Sequence, residues 1–276
     1  MQDNKNNKKK EFIYVTDLTN YLYCPRKVYL QKVKHLREPA NKNIIKGRMK
    51  HAIFDSFNKS EQNIVSQITT QLSQEELFGF YKKNFLELTK KTFSEYEKLA
   101  SLFGISFEDF WKETQRYFNR EIILRIKAIS KLLEKKIFGA ELWKKLEPKY
   151  LTELRIISDK LALIGRVDRI KLEQGNYTPY EIKSRKILTS MPYDNELLQI
   201  AAYSLLLEEK FSFPVKKGFI EYSNKKVAIE MTTELREKVL YLLDKIKNLH
   251  AQDIPQIEKN FSKCKSCGLR KICFKL

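Results

Sequence analysis

Asp168, Glu181 and Lys183 stand inside two short runs of alternating apolar and polar residues, LIGRVDRIKLEQGNYTPYEIKSRK from Leu163 to Lys186. The runs flank Glu-Gln-Gly-Asn, a turn sequence, so they predict a β-hairpin. With the turn centred on Gln174 and Gly175, Leu172 faces Tyr177 and Asp168 faces Glu181. Opposed side chains in an antiparallel pair sit about 4.5 to 5.5 Å apart at Cβ on one face, and Lys183, two residues beyond Glu181, shares that face. Two carboxylates set opposite one another repel, and a cation between them removes the penalty. Hard oxygen ligands suit Mg2+ or Mn2+. Such an ion can bind a phosphate oxygen and acidify a water while an ammonium orients that water or offsets charge at phosphorus. This is the chemistry of phosphodiester hydrolysis; the competing explanation is a solvated hairpin face with a weak salt bridge.

Two further segments extend the set. His51 closes Gly47-Arg-Met-Lys-His51 on a predicted helix, and its imidazole can complete a site of two carboxylates and one nitrogen. Gln199 and Tyr203 in LLQIAAYSLLL are spaced i,i+4 on one helix face. Among Leu and Ala, their amide and hydroxyl need polar partners, which phosphate and base groups or backbone can supply.

The four cysteines are Cys24, Cys264, Cys267 and Cys273. A local Cys-x2-Cys-x5-Cys with one remote thiolate favours metal over disulfides in a chain with no secretory signal. Four thiolates suit structural zinc or a [4Fe-4S] cluster. Zinc ribbons usually bring two local knuckles, whereas a split of one and three fits a cluster fastening the two chain ends.

The elements that must position these groups follow from periodicity. TDLTNYLYCPRKVYLQKV reads as helix with a break at Pro25, and IIKGRMKHAIFDSFNK as a second helix. Ser60 to about Glu147 carries apolar residues at helical spacing, for example Phe118, Ile122, Ile123, Ile126 and Ile129, and reads as a helical insertion. Strands are expected over Tyr150 to Ile157, Lys160 to Leu172 and Tyr177 to Ser184, then a helix from Asp194 to Lys210. A second hairpin turns near Asn224, and an amphipathic helix from Thr233 places Leu235, Val239, Leu242, Leu243 and Ile246 on one face. The expected organisation is a disordered basic tail (1–11), an N-terminal helical part (12–59), the insertion (60–148), a core (149–258) and a cysteine segment (259–276).

Lys and Arg number 53 against 34 Asp and Glu, a net charge of +19 that favours polyanion partners through counterion release, nucleic acid first. No apolar run is long enough to span a membrane, and a cytoplasmic location is expected. The lack of a Gly-rich loop ending in Gly-Lys-Ser/Thr argues against an ATP motor in this chain.

CPRKVYL, GRMKH, GRVD, EIK, QIAAY and CKSCGLRKIC occur in the order seen in the CRISPR-associated RecB-like exonucleases, the fourth CRISPR-associated family, within the PD-(D/E)XK nuclease superfamily. The chain resembles that family over residues 12 to 57 and 150 to 276. The resemblance implies a restriction-endonuclease-like α/β core, a mixed sheet flanked by helices, with a [4Fe-4S] cluster joining the N- and C-terminal segments. It implies Mg2+- or Mn2+-dependent exonuclease activity on DNA ends, often single-stranded. It assigns His51, Asp168, Glu181 and the backbone carbonyl of Ile182 to the metal, Lys183 to catalysis, Gln199 and Tyr203 to support of the active site and DNA strand, and all four cysteines to the cluster. It further implies trimming of captured DNA in spacer acquisition beside the spacer-integration complex. A non-catalytic DNA-binding adaptor and the nuclease subunit of a helicase-nuclease complex are the alternatives. The insertion departs from compact members of the family, and it can cap the active site, channel DNA, bind a protein or act as a passive lid.

Overall fold

The structure, a computed structural model, describes residues 11–183, 185–188, 191–251, 254–256 and 261–275. The expected basic tail lies outside the described residues except for Glu11. The chain forms two compact units: the first comprises residues up to Glu38, Leu154–Val167 and Thr178 onward, and the second Pro39–Glu153 with Asp168–Tyr177.

In chain order the first elements are β1 (Ile13–Tyr14), α1 (Val15–Tyr23) and α2 (Pro25–Lys32). Cys24 is extended between the two helices, with Pro25 as the first residue of α2, because proline has no amide to give and its ring suits only a helix start. The helical segment follows as α3 (Lys42–Ser66), α4 (Gln74–Glu95), α5 (Glu97–Leu102), α6 (Phe107–Leu133) and α7 (Gly139–Lys145). Side chains cap these helices. Asn41 accepts from Ile44 N at 3.0 Å, and Ser73 and Glu76 form a reciprocal capping box on α4.

Then come β2 (Lys149–Ser158), β3 (Leu163–Glu173), β4 (Asn176–Ile182), α8 (Asp194–Phe211), β5 (Lys217–Glu221), β6 (Lys226–Glu230) and α9 (Thr233–Lys247), with the short α10 (Phe261–Lys265) and α11 (Arg270–Cys273) near the end. The six strands form one mixed sheet in the order β1-β3-β4-β5-β6, with β2 also pairing with β3. β1 runs parallel to β3 and β4 parallel to β5, while β5 and β6 form the expected antiparallel hairpin. The α/β class with a mixed sheet and helices is therefore as expected. Lys160 to Ala162, expected as strand, instead form the turn into β3, with Ala162 at φ 52°.

In the first unit α1, α8 and α9 pack on one another and α8 packs on β5. Gly165 of β3 permits this layer to approach. A Cβ there would lie 2.5 Å from Leu206 Cδ1, 3.0 Å from Val15 Cγ2 and 3.2 Å from Tyr203 Cδ1.

In the second unit α3, α4, α6 and α7 enclose an apolar core. Phe57 stacks on Phe85 at 3.7 Å between centroids and Phe85 on Phe118 at 4.9 Å, pairs that contribute about 0.5–1.5 kcal/mol each beyond area burial. Phe118, Ile122, Ile126 and Ile129 are buried as expected, but Ile123 is exposed. The step of about 100° per residue after Ile122 turns its side chain off the core face. The hairpin turn joining β3 to β4 has two residues, Gln174 at φ 49° and Gly175 at φ 75°, the pair of positive values that a tight hairpin of native twist requires.

Candidate active site

The second unit gathers three ligand-type side chains. α3 carries His51, β2 carries Glu153 and β3 carries Asp168, and their ligand atoms all lie within 4.8 Å of one another. His51 Nδ1 bonds Glu153 Oε1 and lies 3.9 Å from Asp168 Oδ1. Burial works against the imidazolium, but the bond to Glu153 and the charge of Asp168 outweigh it, so the His51 pKa is raised above its usual 6.5. One imidazole and two carboxylates make a mixed N/O donor set that suits Mn2+ and related divalent ions. The set is therefore chemically fit to hold the expected ion.

Glu153 was absent from the residues expected at this site. Strict alternation along β2 puts it with Leu151, Arg155 and Ile157, all exposed, and opposite buried Ile156 and Ser158. Glu153 instead adopts φ 49° inside the strand and is buried. That left-handed kink breaks the two-residue period and turns the carboxylate to His51. Only the bare fact of an acid within a strand could have flagged it.

The first unit holds a second group. Lys183 Nζ donates to Glu181 Oε1 at 2.7 Å and to Gln199 Oε1 at 3.1 Å, and Gln199 Nε2 donates to Tyr203 OH at 2.9 Å. The proximity of Glu181 and Lys183 follows from their i,i+2 spacing at the end of β4. α8 presents Gln199 and Tyr203 one turn apart, and the Lys183 backbone N–H continues the ladder to Glu221 O at 2.9 Å. Glu181 and Tyr203 are buried, while Lys183 and Ile182 are half-buried. The amide-hydroxyl pair thus finds polar partners within the protein and in doing so holds the ammonium by its acceptor end.

Cys24, Cys264, Cys267 and Cys273 are free thiols lining one cavity of about 340 Å3 in the first unit. The chain ends are tied there by Tyr23 OH donating to Lys263 O, Arg26 Nε to Pro255 O at 2.9 Å and Gly268 N to Glu38 Oε1 at 3.2 Å. Cys267 and Cys273 pack against the buried Tyr29, Leu30 and Leu269, and burial pushes the Cys267 thiol up. The sulfurs do not form a compact set: no three of them lie within 4.8 Å of one another. Tetrahedral zinc at a Zn–S bond of about 2.3 Å needs separations of about 3.8 Å.

Residues 15–274 match the sequence profile of the PD-(D/E)XK nuclease superfamily, so the chain belongs to that superfamily. It is similar to a protein of Leptospira interrogans named CRISPR-associated exonuclease Cas4/endonuclease Cas1 fusion, 35% identical over 49% of this chain and 27% of the relative. Two proteins named CRISPR-associated exonuclease Cas4 also resemble it. That of Francisella tularensis subsp. novicida is 31% identical over 44% of this chain and 60% of the relative, and that of Thermoproteus tenax 27% identical over 40% and 59%. In each case the match spans under two thirds of the relative's length. Among the described residues no helix is long and apolar enough to cross a membrane.

Proposed function

We propose that the protein is a divalent-metal-dependent exonuclease that hydrolyses phosphodiester bonds at DNA ends, single-stranded ends above all, and that it trims DNA captured in CRISPR spacer acquisition. The observation that carries this reading is the assembly of His51, Glu153 and Asp168 in a chain of the PD-(D/E)XK superfamily. These three residues would hold the ion. When bound, the ion supplies Lewis acidity to a phosphate oxygen and lowers the pKa of a water.

The remaining work falls to side chains. Lys183 is held by Glu181 and Gln199, which fixes its ammonium for the attacking water or the charge gathering on phosphorus. Tyr203 holds Gln199 in turn and so acts at one remove. The net charge of +19 favours the polyanion.

In this reading the cysteine cavity takes a [4Fe-4S] cluster, since the four thiols that line it supply the ligand type such a cluster uses. Its role is to clamp the chain ends. Similarity to a protein whose name joins an exonuclease to Cas1 supports the spacer-integration complex as partner.

The test is digestion of end-labelled single- and double-stranded DNA by anaerobically purified protein with Mn2+ or Mg2+, beside Asp168→Ala and Lys183→Ala. Metal-dependent shortening lost in both variants supports the nuclease. DNA binding without cleavage by wild type refutes it and favours an adaptor.

A further inference from the structure

Arg125 lies buried in the middle of α6, in a helical block that the proposed chemistry leaves unused. Each of its three guanidinium nitrogens donates a hydrogen bond. Nε donates to Glu61 Oε1 at 2.7 Å, Nη1 to Glu121 Oε2 at 2.5 Å and Nη2 to Asn58 Oδ1 at 2.7 Å. The other Glu121 oxygen accepts from Arg169 Nη1, and Asn58 Nδ2 donates to Phe54 O at 2.7 Å and to Thr152 Oγ1. Two guanidiniums and two carboxylates are thereby buried together. Such an array is expensive to desolvate, and apolar residues of the same volume are often as stabilising. Stability alone does not account for it.

Its end points do. Thr152 precedes Glu153 on β2, and Arg169 follows Asp168 on β3. Asn58 lies seven residues after His51 on α3, two turns along the same face. One hydrogen-bonded network therefore grips each of the three elements that carry a ligand. All of these residues belong to the second compact unit. Glu153 has particular need of it: a non-glycine residue at φ 49° persists only where its surroundings over-determine the conformation.

We propose that Arg125 and Asn58 are positioning residues, and that through their network the helical block fixes α3, β2 and β3 and so sets the cation affinity of His51, Glu153 and Asp168. The block is then a frame for the metal centre and not a passive lid. This inference rests on the metal-site reading above. It differs from a purely structural role in predicting a change in ligand geometry, which a change in stability does not require.

The test is titration of the DNA-free full chain with Mn2+, following free Mn2+ by electron paramagnetic resonance, with melting recorded in parallel. Thr152→Val removes the hydroxyl at nearly constant shape and Thr152→Ser restores it; Asn58→Ala cuts the link between helix, guanidinium and strand. Tyr81→Phe is the control, because it deletes a buried hydroxyl that has no hydrogen-bond partner in the same core. Thr152→Val and Asn58→Ala should each bind Mn2+ about tenfold more weakly, with Thr152→Ser and Tyr81→Phe unchanged. Lower melting temperatures with unchanged Mn2+ affinity in Thr152→Val and Asn58→Ala overturn the proposal. Should Asn58→Ala fail to fold, the Thr152 pair decides by itself. His51→Ala separates the two layers of argument: if wild type binds no Mn2+, or His51→Ala binds as wild type does, the metal-site reading fails and the positioning role falls with it.

Discussion

Replacing Gly165 by Ala tests how closely α8 must approach the sheet. The added methyl would meet Leu206 Cδ1 at 2.5 Å, Val15 Cγ2 at 3.0 Å and Tyr203 Cδ1 at 3.2 Å, against ordinary carbon contacts of about 3.5–4.0 Å. Leu206 can swing its terminal methyl, but it is fully buried. Val15 is stiff at χ1, and Tyr203 is a ring tied through its hydroxyl to Gln199. Overpacking of this kind costs about 1–3 kcal/mol. The loss of glycine's freedom in the unfolded chain returns about 0.4–1 kcal/mol, since the backbone at Gly165 is not left-handed. A net destabilisation of about 1–2 kcal/mol follows. Relief requires Tyr203 or all of α8 to retreat, and Gln199 then withdraws from Lys183. A misplacement of about 1 Å at a catalytic group can cost about a hundredfold in rate. Urea denaturation measures the first quantity, and single-turnover digestion of end-labelled DNA the second. Wild-type stability together with wild-type cleavage in Gly165→Ala would refute the close-packing argument. Lost stability with cleavage intact would instead refute the coupling of α8 to Lys183.

Lys183→Met should abolish DNA shortening and leave Mn2+ affinity near wild type, because Lys183 contacts Glu181 and Gln199 and is no donor to a cation; calorimetric titration checks it. Cleavage by the Met variant would remove Lys183 from the chemistry. The His51 pKa is raised, so in metal-free protein its pairing with Glu153 and Asp168 contributes stability that is fully present below the usual value of 6.5 and is lost as pH rises through the raised one. Mn2+ competes with that proton, so its affinity should fall as pH is lowered through the raised value; an identical pH slope in His51→Ala would count against this. Arg125→Met takes the buried Glu61 carboxylate's guanidinium away and leaves Glu121 with Arg169 alone, and it should cost about 3–5 kcal/mol, measured by denaturant titration. Cys24→Ala should lower iron and sulfide content and visible absorbance of anaerobically prepared protein; full retention would exclude Cys24 as a ligand.

Much of the site was written in local rules. Alternation and the turn residues drew attention to Asp168, Glu181 and Lys183, the helical repeat placed Gln199 beside Tyr203, and Pro25 set the break after Cys24. These features depend on backbone geometry over a few residues, so residue type and spacing suffice to expose them. The turn likewise falls at Gln174 and Gly175, where the sequence centres it.

What only the tertiary structure decided is the company each group keeps. Glu153 sits on the side of β2 that alternation gives to solvent, and its left-handed backbone instead turns the carboxylate to His51. Arg125 reads as another charge on an amphipathic helix, yet its guanidinium is buried because Glu61, Glu121 and Asn58 arrive from sequence positions that no local period connects. The sequence by itself determined which residues could do chemistry, since donor type and spacing are properties of the chain. The fold alone determined which of them meet, since burial, charge pairing and backbone strain are settled by contacts between segments far apart in sequence.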